Sequence, residues 1–190
     1  MVLFKNKYRI ESTRLQGWDY RNPGYYFVTI CTQGRSRFFG AIQGGDMCLS
    51  APGEIAAQCW AEIPKHHTGV ELDEWIIMPD HMNGVIVLTA PIDVETLHVV
   101  ETLQCNVSTT TRTKMAAISP KTGSLAVVIR SYKSAVSRLA RLAGYDFGWQ
   151  ERYWDRIIRS NDELLRVRNY IVQNPVRWEM DRDREPGMWM

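Results

Sequence analysis

"IIMPDHMNGVIVL", Ile76 to Leu88, consists of two apolar segments on either side of a Pro-Asp turn. The stretch predicts a strand, a tight turn and a second strand. Side chains alternate between faces along a strand, which sends His81 and Asn83 the same way. An imidazole beside a carboxamide on an otherwise apolar strand has two readings. It is a polar pair satisfied at a sheet edge, or it is the start of a binding site.

Working outward, Tyr25 to Thr32 is rich in aromatic and β-branched residues and predicts the first long strand. "RFFGAIQGGDMCLS" predicts a hairpin turning at Gly44-Gly45. Pro52 opens a helix running to about Lys65, with Ile55, Gln58, Cys59, Glu62 and Ile63 at helical spacing and the apolar members on one stripe. Leu72 to Met78 leads into the Pro79-Asp80 turn. A helix is expected from about Ser124 to Ala143, where Val127, Val128, Ser131, Ala135, Leu139 and Leu142 recur at helical intervals. Arg130, Lys133, Arg138 and Arg141 form its polar side and Gly144 closes it. "FGWQERYWDRIIRS" holds another strand. Ser160 or Asn161 caps a last helix, which Asn174-Pro175 ends or interrupts. Without the hairpin and the last helix the order is βαββαβ, the ferredoxin-like arrangement of an α+β domain. Two helices then cover one face of an antiparallel sheet, and the other face is left for a ligand or a further helix.

Residues 1–24 read as a lead-in, 25–181 as a single domain and 182–190 as a charged tail. Within the domain, 91–123 is polar, Thr/Ser-rich and basic, and is expected to be a mobile insertion. A hydrophobic share of 45% and a charged share of 23% are those of a soluble globular protein, and no apolar run approaches a bilayer span. The N-terminus has no apolar core of a signal peptide, and the four cysteines form no CxxC pair, so reduced thiols in a cytoplasm are expected. A net charge of +2 demands no polyanionic partner, so only the local charge distribution bears on nucleic acid.

That distribution is suggestive. Arg152, Arg156 and Arg159 precede the last helix, with Trp149, Tyr153 and Trp154 interleaved. Basic groups with stacking rings suit single-stranded nucleic acid, although each alone is equally a solvated surface residue. On the last helix Tyr170 and Asn174 lie four residues apart and share a face. A phenol is a weak nucleophile near neutral pH and needs an activated electrophile, such as a phosphate polarised by a divalent metal. An imidazole with amide oxygens is a ligand set for Mg²⁺ or Mn²⁺. Taken singly, Tyr170 is a core aromatic and Asn174 a helix cap.

"GYYFVTICTQGRSRFFG", "MPDHMNGVIVL", "VIRSYKSAVSR", "WQERYWDRIIRS" and "YIVQNPVRWEMD" occur in the order found in the REP-associated tyrosine transposases, which the chain resembles over residues 20–181. These are single-tyrosine HUH endonucleases, where U is a bulky apolar residue. The resemblance implies a bacterial, cytoplasmic, nucleoid-associated enzyme of DNA transposition and recombination. It implies cleavage and rejoining of single-stranded DNA near a hairpin through a covalent 5′-phosphotyrosine, with Mg²⁺ or Mn²⁺ and no nucleotide cofactor, as a monomer or homodimer. By motif, Tyr170 matches the nucleophile, and His81 and Asn174 match metal-holding residues. The second histidine of the motif falls at position 83, where this chain has Asn83 as the candidate third ligand. Arg112, Lys114, Lys121, Arg130, Lys133, Arg138, Arg152 and Arg159 are the expected DNA contacts. The alternative is a non-catalytic hairpin-binding relative with a degenerate metal site.

Overall fold

The computed structural model describes residues 14–15, 17–89 and 123–182. The basic insertion, most of the lead-in and the tail lie outside these residues, and so do Arg112, Lys114 and Lys121. The elements are β1 (Gly24–Cys31), β2 (Gly40–Gln43), β3 (Asp46–Leu49), α1 (Ala51–Ala61), α2 (Ile63–His66), β4 (Val70–Met78), β5 (His81–Leu88), α3 (Leu125–Leu142), β6 (Trp154–Ile158) and α4 (Asn161–Arg182).

Four strands form one antiparallel sheet in the order β4-β5-β1-β6. β5 inserts between β1 and β4, which are joined through α1, and β1 inserts between β5 and β6, which are joined through α3. This is the expected split βαβ arrangement. β2 and β3 form a separate hairpin. Its turn residues Gly44 and Gly45 have φ of 61° and 83°, the left-handed pair that a two-residue hairpin turn needs.

The face that α1 and α3 cover is apolar. Tyr26, Val28 and Ile30 of β1 and Met82 and Ile86 of β5 pack with Ala56, Trp60, Val128, Ile129, Tyr132 and Val136. Fully burying each such aliphatic side chain contributes about 1.5–3 kcal/mol. Gly84 lies between these strand residues, and a Cβ there would stand 2.7 Å from Trp60 Cζ2. The opposite face is covered by α4, through a smaller cluster of Phe27, Val85, Ile158, Leu164 and Ile171.

Three expectations change. The α1 stripe is turned: Ala56 and Trp60 are buried, Ile55 and Cys59 only partly, and Gln58 is exposed. α1 also stops at Glu62, and Ile63-Pro64 restarts the chain as the short α2, because proline cannot donate into a continuing ladder. On α3 the buried stripe is Leu125, Val128, Ile129, Tyr132, Val136 and Ala140, whereas Ser131 and Leu142 face solvent. Tyr132 tolerates its place because its hydroxyl donates to Ala56 O. Finally, α4 continues through Pro175 to Arg182. The missing proline N–H costs one rung, and flanking packing by buried Ile171, Asn174 and Pro175 holds the two halves in line.

Candidate nucleic-acid processing site

Register explains how the site assembles. Across β1 and β5, Phe27 pairs with Val85, Thr29 with Asn83 and Cys31 with His81. Phe27 and Val85 belong to the α4 cluster, so alternation puts Thr29, Asn83 and His81 on that same face. α4 runs along this face. Tyr170 meets Phe27 edge-on at 6.0 Å, and Trp178 lies 5.8 Å from the His81 ring. Asn174 is buried one helical turn from each, on the same side of α4. The sheet therefore brings His81, Asn83, Asn174 and Tyr170 to one face.

The helix is clamped there by Arg168, whose guanidinium bonds both carboxylate oxygens of Asp73, with Nε to Oδ1 at 2.7 Å. Asp73 stands where the β4 ladder is irregular, between Leu72 and Trp75. The Arg168 guanidinium holds the Asp73 carboxyl below the usual range. At the start of α4, Ser160 Oγ accepts from Glu163 N and Glu163 accepts from Arg159 N, a reciprocal cap.

His81 is 7% exposed, and its Nδ1 lies 2.6 Å from Asp80 Oδ1. Asp80 is itself fixed: its carbonyl accepts from Thr32 N and Oγ1, and Arg35 stands 3.6 Å from its carboxylate. Arg35 has φ of 57°, the one positive value among non-glycine described residues, so the turn holding this cation is strained. With Nδ1 engaged, Nε2 is the ring nitrogen left for a ligand, the carboxylate–histidine pattern of metal sites.

The two asparagines behave alike. Thr29 Oγ1 donates to Asn83 Oδ1 at 2.6 Å. Asn83 Nδ2 and Asn174 Nδ2 are both buried with no hydrogen-bond partner among the described residues. A half-turn of either amide exchanges its nitrogen and oxygen, and so offers a carbonyl oxygen in place of an orphaned donor. No group of three His, Cys, Asp or Glu able to hold a metal occurs among the described residues. A single imidazole with amide oxygens thus fits a hard divalent cation, held more weakly than by two imidazoles.

Among the tyrosines, Tyr170 is 39% exposed and Arg177 lies 5.8 Å from its ring. Tyr132 and Tyr153 are less exposed than Tyr170. Tyr132 is buried, which pushes its phenol well above the ordinary range, and burial pushes Tyr153 up to about 12.

The expected basic groove is divided. Arg130, Lys133 and Arg138 are on α3, across the sheet from His81 and α4, because charge on a helix does not say which sheet face the helix covers. Lys133 is half-buried, with Nζ donating to Gln150 O at 2.5 Å, and burial lowers its pKa. It ties down the segment before β6. Arg152 and Arg159 are exposed. Arg159 lines a cleft of about 550 Å³ at the β6 edge with Arg14, Tyr20, Asp155 and Arg156. Asp80, Thr29, Arg177 and Trp178 escaped the sequence reading. Asp80 adjoins His81 in the chain, and Trp178 continues the four-residue spacing of Tyr170 and Asn174.

The four-stranded antiparallel sheet with its covering helices is similar in fold to a solved transposase. A solved REP-associated tyrosine transposase bound to a REP hairpin superposes with a TM-score of 0.54 at 16% identity, over 93% of this chain and 88% of that one. The chain belongs to one family with an uncharacterized protein of Haemophilus influenzae, 31% identical over 172 residues, 90% of this chain and 91% of the relative. No family model matches the chain. Among the described residues no helix is long and apolar enough to cross a membrane.

Proposed function

We propose that the protein cleaves and rejoins single-stranded DNA beside a hairpin, with Tyr170 as the nucleophile. The observation that carries this reading is the single face on which His81, Asn83, Asn174 and the exposed Tyr170 meet. The Tyr170 oxygen attacks the scissile phosphorus in line. The phosphorus–O3′ bond breaks, the phenol proton passes to solvent, and the 3′-oxygen leaves to become a free hydroxyl. The product is a 5′-phosphotyrosine, and attack by a 3′-hydroxyl reverses the step. Bond energy is conserved, so no nucleotide is consumed.

His81 Nε2, Asn83 and Asn174 are the residues that would hold Mg²⁺ or Mn²⁺, which when bound offsets charge on the phosphate oxygens. Asp80 holds the His81 ring in its tautomer. Arg177, 5.8 Å from the centre of the Tyr170 ring, adds a positive charge to the surroundings of the phenol. The likeness to a transposase bound to a REP hairpin supports a hairpin as the DNA element.

The decisive experiment incubates labelled hairpin DNA carrying single-stranded flanks with Mg²⁺ or Mn²⁺ and looks for a covalent adduct. Wild type should give one, and Tyr170→Phe should give none while binding within about 2-fold of wild type. An adduct on the Phe variant overturns the assignment. One observation favours a second reading, a hairpin-binding protein without cleavage: Asn83 Oδ1 is already bonded to Thr29. Under it wild type binds the hairpin and never forms the adduct.

A further inference from the structure

The three aromatic residues ahead of α4 have separate fates. Trp149 packs in the core and donates from Nε1 to Lys133 O. Tyr153 is half-buried, and its hydroxyl accepts from Arg14 Nη2. Trp154 alone of the three faces solvent, at 43% exposure. It lies on β6, the edge strand of the sheet, opposite Thr29 of β1. That pairing puts it on the face that carries His81 and α4.

Its indole rests against one neighbour, Phe27. Trp154 meets Phe27 edge-on at 5.6 Å with 74° between the rings, and Tyr170 meets Phe27 from α4 at 87°. Phe27 is thus a shared buttress with one exposed ring on each flank. A T-shaped contact covers at most one face of the indole, and at 43% exposure the ring keeps surface open to stack. A large apolar ring left open on an edge strand is a poor choice for folding alone.

The surrounding charge favours a phosphate chain. Arg152 is exposed two residues before Trp154, and Arg177 stands over the Tyr170 ring. The nearby acid Glu163 is neutralised by Arg156 at 2.7 Å. The distance from Tyr170 to Trp154, across one phenyl ring, is spanned by roughly one or two nucleotides of an extended strand.

We infer that Trp154 is the stacking platform for an unpaired base of the single-stranded flank, one or two nucleotides from the phosphate that Tyr170 attacks. The inference rests on the proposed function for its register and adds a base-binding position. Stacking on an aromatic ring tolerates any base, so Trp154 contributes grip and alignment rather than sequence reading.

The test uses the full chain and a hairpin oligonucleotide whose flanking nucleotides are replaced by an abasic site one position at a time. Wild type should lose roughly 10-fold or more in affinity at one flank position. Trp154→Ala should show that same loss on intact DNA and no further loss when the abasic site is at that position. Trp154→Phe should recover most of the affinity. Thermal melting of both variants should match wild type, since the ring is an exposed one. If Trp154→Ala loses as much as wild type at every abasic position, or binds intact DNA as tightly, the platform is overturned. An adduct through Tyr170 without coupling to Trp154 refutes the platform and keeps the proposed function. Coupling to Trp154 without any adduct supports the platform and refutes the nucleophile.

Discussion

The two faces of the four-stranded sheet are made from the same strands and serve opposite ends. Toward α1 and α3, β1 and β5 present Tyr26, Val28, Ile30, Met82 and Ile86, all fully buried in apolar surroundings. Toward α4, the alternate residues Thr29, His81 and Asn83 are polar, and two amide nitrogens there have no partner among the described residues. Burying such groups unpaired costs roughly 1–3 kcal/mol each. One face is wholly apolar, and the other spends part of the stability on buried polar groups.

The comparison breaks first at His81. His81→Ala should abolish the covalent adduct and metal binding together, since only amide oxygens remain, while the melting temperature falls modestly. Calorimetric titration with Mn²⁺ beside an adduct assay reads this out, and residual metal binding would make the α4 face merely structural. On the other face Trp60→Ala should cost about 3–5 kcal/mol of folding free energy by denaturant titration, yet leave DNA affinity per folded molecule unchanged. A smaller effect is expected at Asn83. Asn83→His should tighten Mn²⁺ about 10-fold, with Mg²⁺ little altered, because the imidazole adds affinity chiefly for the softer ion. Equal tightening of both ions removes Asn83 from the ligand set.

The smallest effect concerns the clamp of α4. Arg168 depresses the Asp73 carboxyl in the folded state. Its contribution is therefore full above the unfolded carboxylate range and is lost as pH falls through the lower folded value. Asp73→Asn should flatten the acid side of the stability–pH curve and leave the neutral side parallel to wild type. An unchanged acid limb means that the pair does not help dock the helix.

Much of this division was legible in the chain. Ile76 to Leu88 states two strands and their turn, and alternation alone assigns His81 and Asn83 a common face. Gly44-Gly45 states the hairpin. The helix stripes were less legible. Trp60 and Tyr132 bury large rings beside the smaller residues whose spacing defines the expected stripes, and at Gly53 α1 approaches Phe39 O too closely for a side chain. The basic residues of α3 misled for a different reason. Their helix periodicity is correct, but only the right-handed crossover decides that α3 joins α1, away from α4. Trp178 and Asp80 become visible as site residues only once the strand register is known.

Gly84 has a consequence for descent. Its neighbour Asn83 looks toward α4, where a change of side chain meets other polar groups. Position 84 looks the other way, into Trp60 and Trp75, with 2.7 Å to the first and 3.0 Å to the second. Any side chain there collides with the fully buried Trp60 ring, which the core cannot move cheaply. Two adjacent codons thus live under different rules. A change of side chain at 83 leaves the core face untouched, whereas a side chain at 84 has to displace Trp60 or the strand itself. A strand built this way lets its polar face change without endangering the scaffold that carries it.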